Sequence, residues 1–250
     1  MTVFHGLVAS HIATGAWGLV LFWVAVLSRK GGRAHRRAGF IFAYSMLVTG
    51  TIAAVMGVAT LRDPLGTHPH LDDARLVSGI FGWMMVYLAI LTISLAWHGL
   101  VVVRNKRDHA RNRAPREVAL QGLVIVAAIN CAVQGWWRDL PLMMGISVVG
   151  VASGVTNLVF AFRAAPVRWA YLIEHMKALV GAGISVYTAF MTFGLVRFMP
   201  RTGPAEAHAA LNPALWAVPL TVGLSIIIYH RVRIGRWGQR DASPRVQVSE

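Results

Sequence analysis

An all-α membrane bundle of seven transmembrane helices is the fold class this sequence predicts, and three observations predict it. Of 250 residues, 56% are hydrophobic and only 14% charged, too apolar a balance for one soluble domain. Seven stretches reach the roughly 20 apolar residues that a helix needs to cross a hydrocarbon core of about 30 Å with its backbone polar groups bonded internally. Lys and Arg gather in the short gaps between those stretches, as they do in the cytoplasmic loops of membrane proteins.

In chain order the predicted spans are Phe4 to Leu27, Gly39 to Leu61, Ser78 to Val103, Val118 to Trp137, Leu142 to Phe162, Trp169 to Met199 and Pro213 to Tyr229. Only "RDLP", Arg138 to Pro141, separates the fourth and fifth, which suits a tight hairpin. The cation-rich segments are Ser28 to Ala38, Arg104 to Glu117, Arg163 to Arg168 and the stretch from His230 onward. Placing them in the cytoplasm gives an N-out, C-in topology in a bacterial-type cytoplasmic (inner) membrane. Residues 1–236 then form the transmembrane domain, and 237–250 a disordered cytoplasmic tail. Trp83, Trp97, Trp136, Trp137, Trp169 and Trp216 fall near span ends, where an indole prefers to sit. The start, "MTVFHGLVAS", lacks a basic leader and a small-residue cleavage site, so the first span is expected to stay in the protein.

The net charge of +14 does not imply nucleic acid, because the basic residues are not gathered on one face of a water-soluble module. The partners it implies are the bilayer and the anionic headgroups met by the cationic loops. Cys131, alone inside an apolar run, allows no internal disulfide. The last span has no lysine for a retinal Schiff base, and no H-x3-H pair places two zinc ligands on one helical face. In the outer loop "RDPLGTHPHLDDAR", His68, His70, Asp72 and Asp73 read as a polar connector rather than a metal site. Small residues in "GVASG" and "GAG" permit close helix approach, read as packing inside the bundle rather than a dimer face.

Ionisable residues inside spans are costly and are functional candidates by default. Here they are His11, His98, Glu174, His175 and Lys177, with Gln121, Asn130 and Gln134 as polar companions. At the helical rise, His98 and His175 both fall about 7 to 9 Å inside the cytoplasmic boundary. Two imidazoles at matching depth on different helices suit the axial sites of haem b, with His11 as an outer partner for quinone. The alternative is a transporter or channel for protons or a small solute, with His98, Asn130, Glu174, His175 and Lys177 lining a polar cavity. A homo-oligomer, or an accessory subunit held in a larger complex by its small-residue faces, is also open.

One motif spans the first hairpin: His11 and Gly15 as H-x3-G, then Lys30, Gly31, His35, Arg36 and Gly39 as KG-x3-HR-x2-G. It resembles a family of bacterial predicted membrane proteins known as a domain of unknown function, and "HMKALVGAGISVYTAFMTFG" in the sixth span is similar as well. The resemblance implies a helical bundle and marks His11, His35, Arg36 and His175 as motif positions. It implies no activity. Topology explains the cations of "SRKGGRAHRRAGF" but not its histidine. His35 and Arg36 at the mouth of the second helix are therefore expected to bind a lipid phosphate or to cap the carboxyl ends of neighbouring helices.

Overall fold

In the computed structural model, which describes residues 2–167, 169–195 and 212–242, most described residues are helical and none forms a strand. The helices are α1 (Thr2–Leu27), α2 (Arg33–Arg62), two short turns α3 (Pro64–Thr67) and α4 (Ala74–Val77), α5 (Met85–Arg104), α6 (Pro115–Trp137), α7 (Pro141–Phe162), α8 (Ala170–Ala189) and α9 (Pro213–Ala242). A π-helical stretch, Ser78–Met84, joins α4 to α5, and another, Phe190–Gly194, extends α8. Among the described residues, seven helices are long and apolar enough to span a membrane, so this is a multi-pass membrane protein. α9 carries helix through Ala242, into the segment expected as a tail. Residues 243–250 of that tail, and 196–199 of the predicted sixth span, lie outside the described residues.

α5 is the most enclosed span, and packs against α2, α6 and α8. α1 lies on α2, α7 on α6, and α9 on α8. The core between them is built from Phe22, Phe42, Met46, Tyr87, Leu95 and Met143. Apolar residues such as Trp17, Val126, Val148 and Ile228 are exposed, the outward surface expected against lipid tails. Trp136 and Trp137 are exposed at one end, as interfacial indoles are, but Trp216 is buried and Trp97 turns inward to a carboxylate. Not every indole near a span end is an interface anchor.

The cationic turn between α1 and α2 is shaped by Gly31, whose φ of 76° suits a residue without Cβ. Its side chains also finish α1. Lys30 Nζ donates to the Val26 carbonyl and, at 3.3 Å, to that of Ala25, while His35 Nδ1 donates to the same Ala25 carbonyl at 2.9 Å. The last carbonyls of a helix have no partner of their own and attract cationic donors. Burial pushes the Lys30 ammonium below its ordinary value, and the Arg233 guanidinium on α9 adds to the effect. The expected helix cap is present, therefore, but His35 is turned inward whereas Arg36 is exposed. As successive helical residues the two point about 100° apart.

The α6–α7 hairpin is as tight as "RDLP" predicts. Asp139 takes a φ of 55°, a left-handed conformation that costs a residue with a Cβ, and the Leu140 amide donates back to the Gly135 carbonyl at 2.9 Å. Asp139 is almost fully exposed, so its 4.0 Å approach to Arg75 contributes little. Asp139→Gly should therefore hold or raise stability, and Asp139→Val should lower it by about 1 kcal/mol, in thermal melts of detergent-solubilised protein.

Candidate functional site

The buried polar side chains concentrate near the cation-rich end of the bundle. On α8, Glu174 lies one turn inside the helix start, and Lys177 follows three residues later on the same face. Their charged groups meet at 2.5 Å, Lys177 Nζ to Glu174 Oε2, and His98 Nε2 on α5 stands 3.8 Å from that same oxygen. The second distance is too long for a hydrogen bond but short enough for strong Coulomb coupling. Lys177 also donates to Thr156 Oγ1 on α7 at 3.2 Å, which ties α8 to α7.

Next to Thr156, Asn157 Nδ2 donates to Gln121 Oε1 on α6 at 3.0 Å, and Ser94 Oγ on α5 donates to that oxygen at 3.2 Å. Ser94 and His98 are one turn apart on α5, so the Gln121 cluster and the Glu174 cluster lie at neighbouring levels of the bundle. His98, Gln121, Ser94 and Asn157 are each at most 5% exposed. Four polar atoms in this region, His98 Nε2, Glu174 Oε2, Gln121 Nε2 and Asn157 Oδ1, are buried and make no hydrogen bond, although Glu174 Oε2 is ion-paired with Lys177. Buried polar atoms are nearly always paired, so these open valences make this layer the candidate site.

One turn nearer the cation-rich end, Glu117 is also buried. Trp97 Nε1 donates to its Oε2 at 2.9 Å and Arg116 Nε to its Oε1 at 3.0 Å. Both oxygens are satisfied, which makes this carboxylate a fastener between α5 and α6. Sequence reasoning left Glu117 in a loop and overlooked Ser94, Asn157 and Thr156, because small neutral polar residues in an apolar run carry no pattern of their own. Gln121 was visible as a polar intruder.

Other expected members stand elsewhere. Asn130 lies nine residues beyond Gln121 on α6, about 13 Å further along the axis, so it does not line the layer that holds Glu174. His175 follows Glu174 in sequence yet faces the other side of α8. Its Nδ1 donates to the Gly99 carbonyl at 2.7 Å, and its ring faces that of His35. His11 Nδ1 donates to the Thr49 carbonyl at 3.3 Å, and Thr49 Oγ1 donates to Thr14 Oγ1 at 2.8 Å, so this histidine joins α1 to α2.

A haem held between His98 and His175 does not fit. At that level α5 and α8 touch: a Cβ on Gly99 would lie 2.7 Å from the Leu179 side chain and 3.5 Å from Ala178 Cβ. No slot remains there for a macrocycle, and His98 points its Nε2 at Glu174 instead of at a shared iron. Between α2 and α5, Asp73 Oδ1 accepts from the Arg75 and Leu76 amides at 2.8 and 2.9 Å, and His68 packs on Phe81 at 4.3 Å between ring centres. That segment is a capped connector. Compared with protein-family models, with curated proteins and with solved structures, the chain matches none.

Proposed function

We propose that this membrane protein moves protons, or a small polar solute coupled to them, through the layer centred on Glu174. The observation that supports this most is the sharing of one carboxylate oxygen, Glu174 Oε2, between Lys177 at 2.5 Å and His98 at 3.8 Å. With His98 neutral, Lys177 holds the carboxylate. A protonated His98 would be a second cation competing for the same oxygen. A proton arriving at His98 thus changes which partner Glu174 binds, and the open valences of Gln121 and Asn157 lie at the neighbouring level to receive water or solute. By the positive-inside rule, the layer lies toward the cytoplasmic side of a bacterial inner membrane, where Arg36 and Arg37 face anionic headgroups.

Haem and quinone chemistry at His98 and His11 has no comparable support, because His98 Nε2 stands beside Glu174 and His11 joins α1 to α2. The test is proton flux in proteoliposomes carrying an internal pH dye. Wild-type protein should collapse an imposed pH gradient, and Glu174→Gln, which keeps the shape and removes the charge, should slow this at least tenfold. Equal rates for the two proteins would defeat the proposal.

A further inference from the structure

Beside the first hairpin's turn, His35 on α2 and His175 on α8 stand close enough together to share one metal ion. Their ring centres are 6.4 Å apart and their planes cross at 74°. An imidazole nitrogen about 2 Å from a metal sets its ring centre about 3 Å away, so two rings on opposite sides of one ion stand about 6 Å apart.

Each ring also has its Nδ1 anchored. His35 Nδ1 is fixed by the Ala25 carbonyl at 2.9 Å, and His175 Nδ1 by the Gly99 carbonyl at 2.7 Å. A carbonyl can only accept, so Nδ1 carries the hydrogen in both, and the lone pair of each neutral ring is on Nε2. Metal-bound histidines commonly have their second nitrogen donating to a backbone carbonyl, which fixes tautomer and ring direction. The four groups come from four different helices, α1, α2, α5 and α8, so the pair is held by the packing of the bundle. His11 shows that an anchored Nδ1 alone is not enough: it has the same kind of bond, but no second imidazole stands against it among the described residues.

Among the described residues no group of three His, Cys, Asp or Glu side chains converges, which limits what the pair can hold. Two protein nitrogens on opposite sides are a full protein contribution for only two kinds of centre. One is a linear two-coordinate ion, for which imidazole suits copper; the other is an iron that already carries four nitrogens of a macrocycle. We propose that His35 and His175 bind such a centre through their Nε2 atoms, at a site separate from the Glu174 layer and independent of its role.

The experiment is metal analysis and an optical spectrum of the full chain purified from cells supplied with copper and haem precursor. About one iron or copper per chain is expected, with a Soret band for haem iron and none for a bare copper ion. His35→Ala and His175→Ala should each lower occupancy at least tenfold, whereas His98→Ala should keep the metal while losing flux. His35→Met, which retains a ligand for either metal, keeps a folded chain in the comparison and should hold the metal with a shifted optical or X-ray absorption spectrum. Less than about a tenth of a metal per wild-type chain overturns the proposal. So does unchanged content in both alanine variants, or an unshifted spectrum in His35→Met.

Discussion

Glu174→Ala should destabilise the protein by about 2 to 3 kcal/mol, and adding Lys177→Met should recover most of that loss. Removing one member of a buried ion pair leaves the other charge in a poor solvent, which costs about 3 to 5 kcal/mol in a closed interior. Lys177 is 26% exposed and can slide its ammonium toward the headgroups, so the lower part of the range applies. Replacing both partners removes the stranded charge, and an apolar methionine suits the surroundings of that face. Unfolding of the two single variants and the double variant, in mixed micelles titrated with denaturing detergent, gives the coupling energy directly. A double variant as unstable as the sum of the singles would show that the pair is only an interfacial contact. The same proteins separate stability from function, since the restored double variant should still fail to carry protons.

The spans were legible because a membrane imposes one strong rule, about 20 apolar residues per crossing, and because a tight turn such as "RDLP" has its own chemistry. The side chains that meet were harder to read. Depth can be counted along a helix, and this put His98, Glu174 and His175 in one layer. Direction around the helix cannot be assigned until the neighbours are known, and here it divides Glu174 from His175: one stands beside His98 on α5, the other bonds α5 at Gly99 and meets His35 on α2. Expecting both in a single cavity overlooked the roughly 100° between successive residues. Asn130 was drawn in by its polarity alone, whereas Asn157 and Ser94 are placed by helix pairing that no local pattern encodes. The histidine of the first hairpin was singled out because retention of a cationic loop did not require it. In the structure it ends α1 and faces His175.

Gly150→Val should cost about 2 to 3 kcal/mol and lower proton flux, although Gly150 lies two helical turns from the polar layer. A Cβ at this position would meet Tyr87 Cε2 at 2.6 Å, Tyr87 Oη at 2.7 Å and Ala128 Cβ at 2.9 Å. Tyr87 cannot retreat easily: it is 1% exposed and its hydroxyl donates to the Ile146 carbonyl at 2.8 Å. Overpacking of this kind costs about 1 to 3 kcal/mol, more than the roughly 1 kcal/mol gained by removing a glycine from a helix interior. Gly145→Ala on the same helix is the control, because its Cβ would meet nothing within 4 Å, so that change should be neutral or stabilising. Gly154, one turn further along this face, lets the Gln121 carbonyl approach to 3.1 Å of the missing Cβ, and Asn157 beyond it reaches the Gln121 side chain at 3.0 Å. The small residues and the polar layer are thus one construction: α7 must lie close on α6 and α5 for Asn157 to reach Gln121. Pushing α7 away at Gly150 should break that bond first, so flux should fall before the protein unfolds. If Gly150→Val and Gly145→Ala melted together and carried protons equally, the small-residue face would have no part in positioning the site.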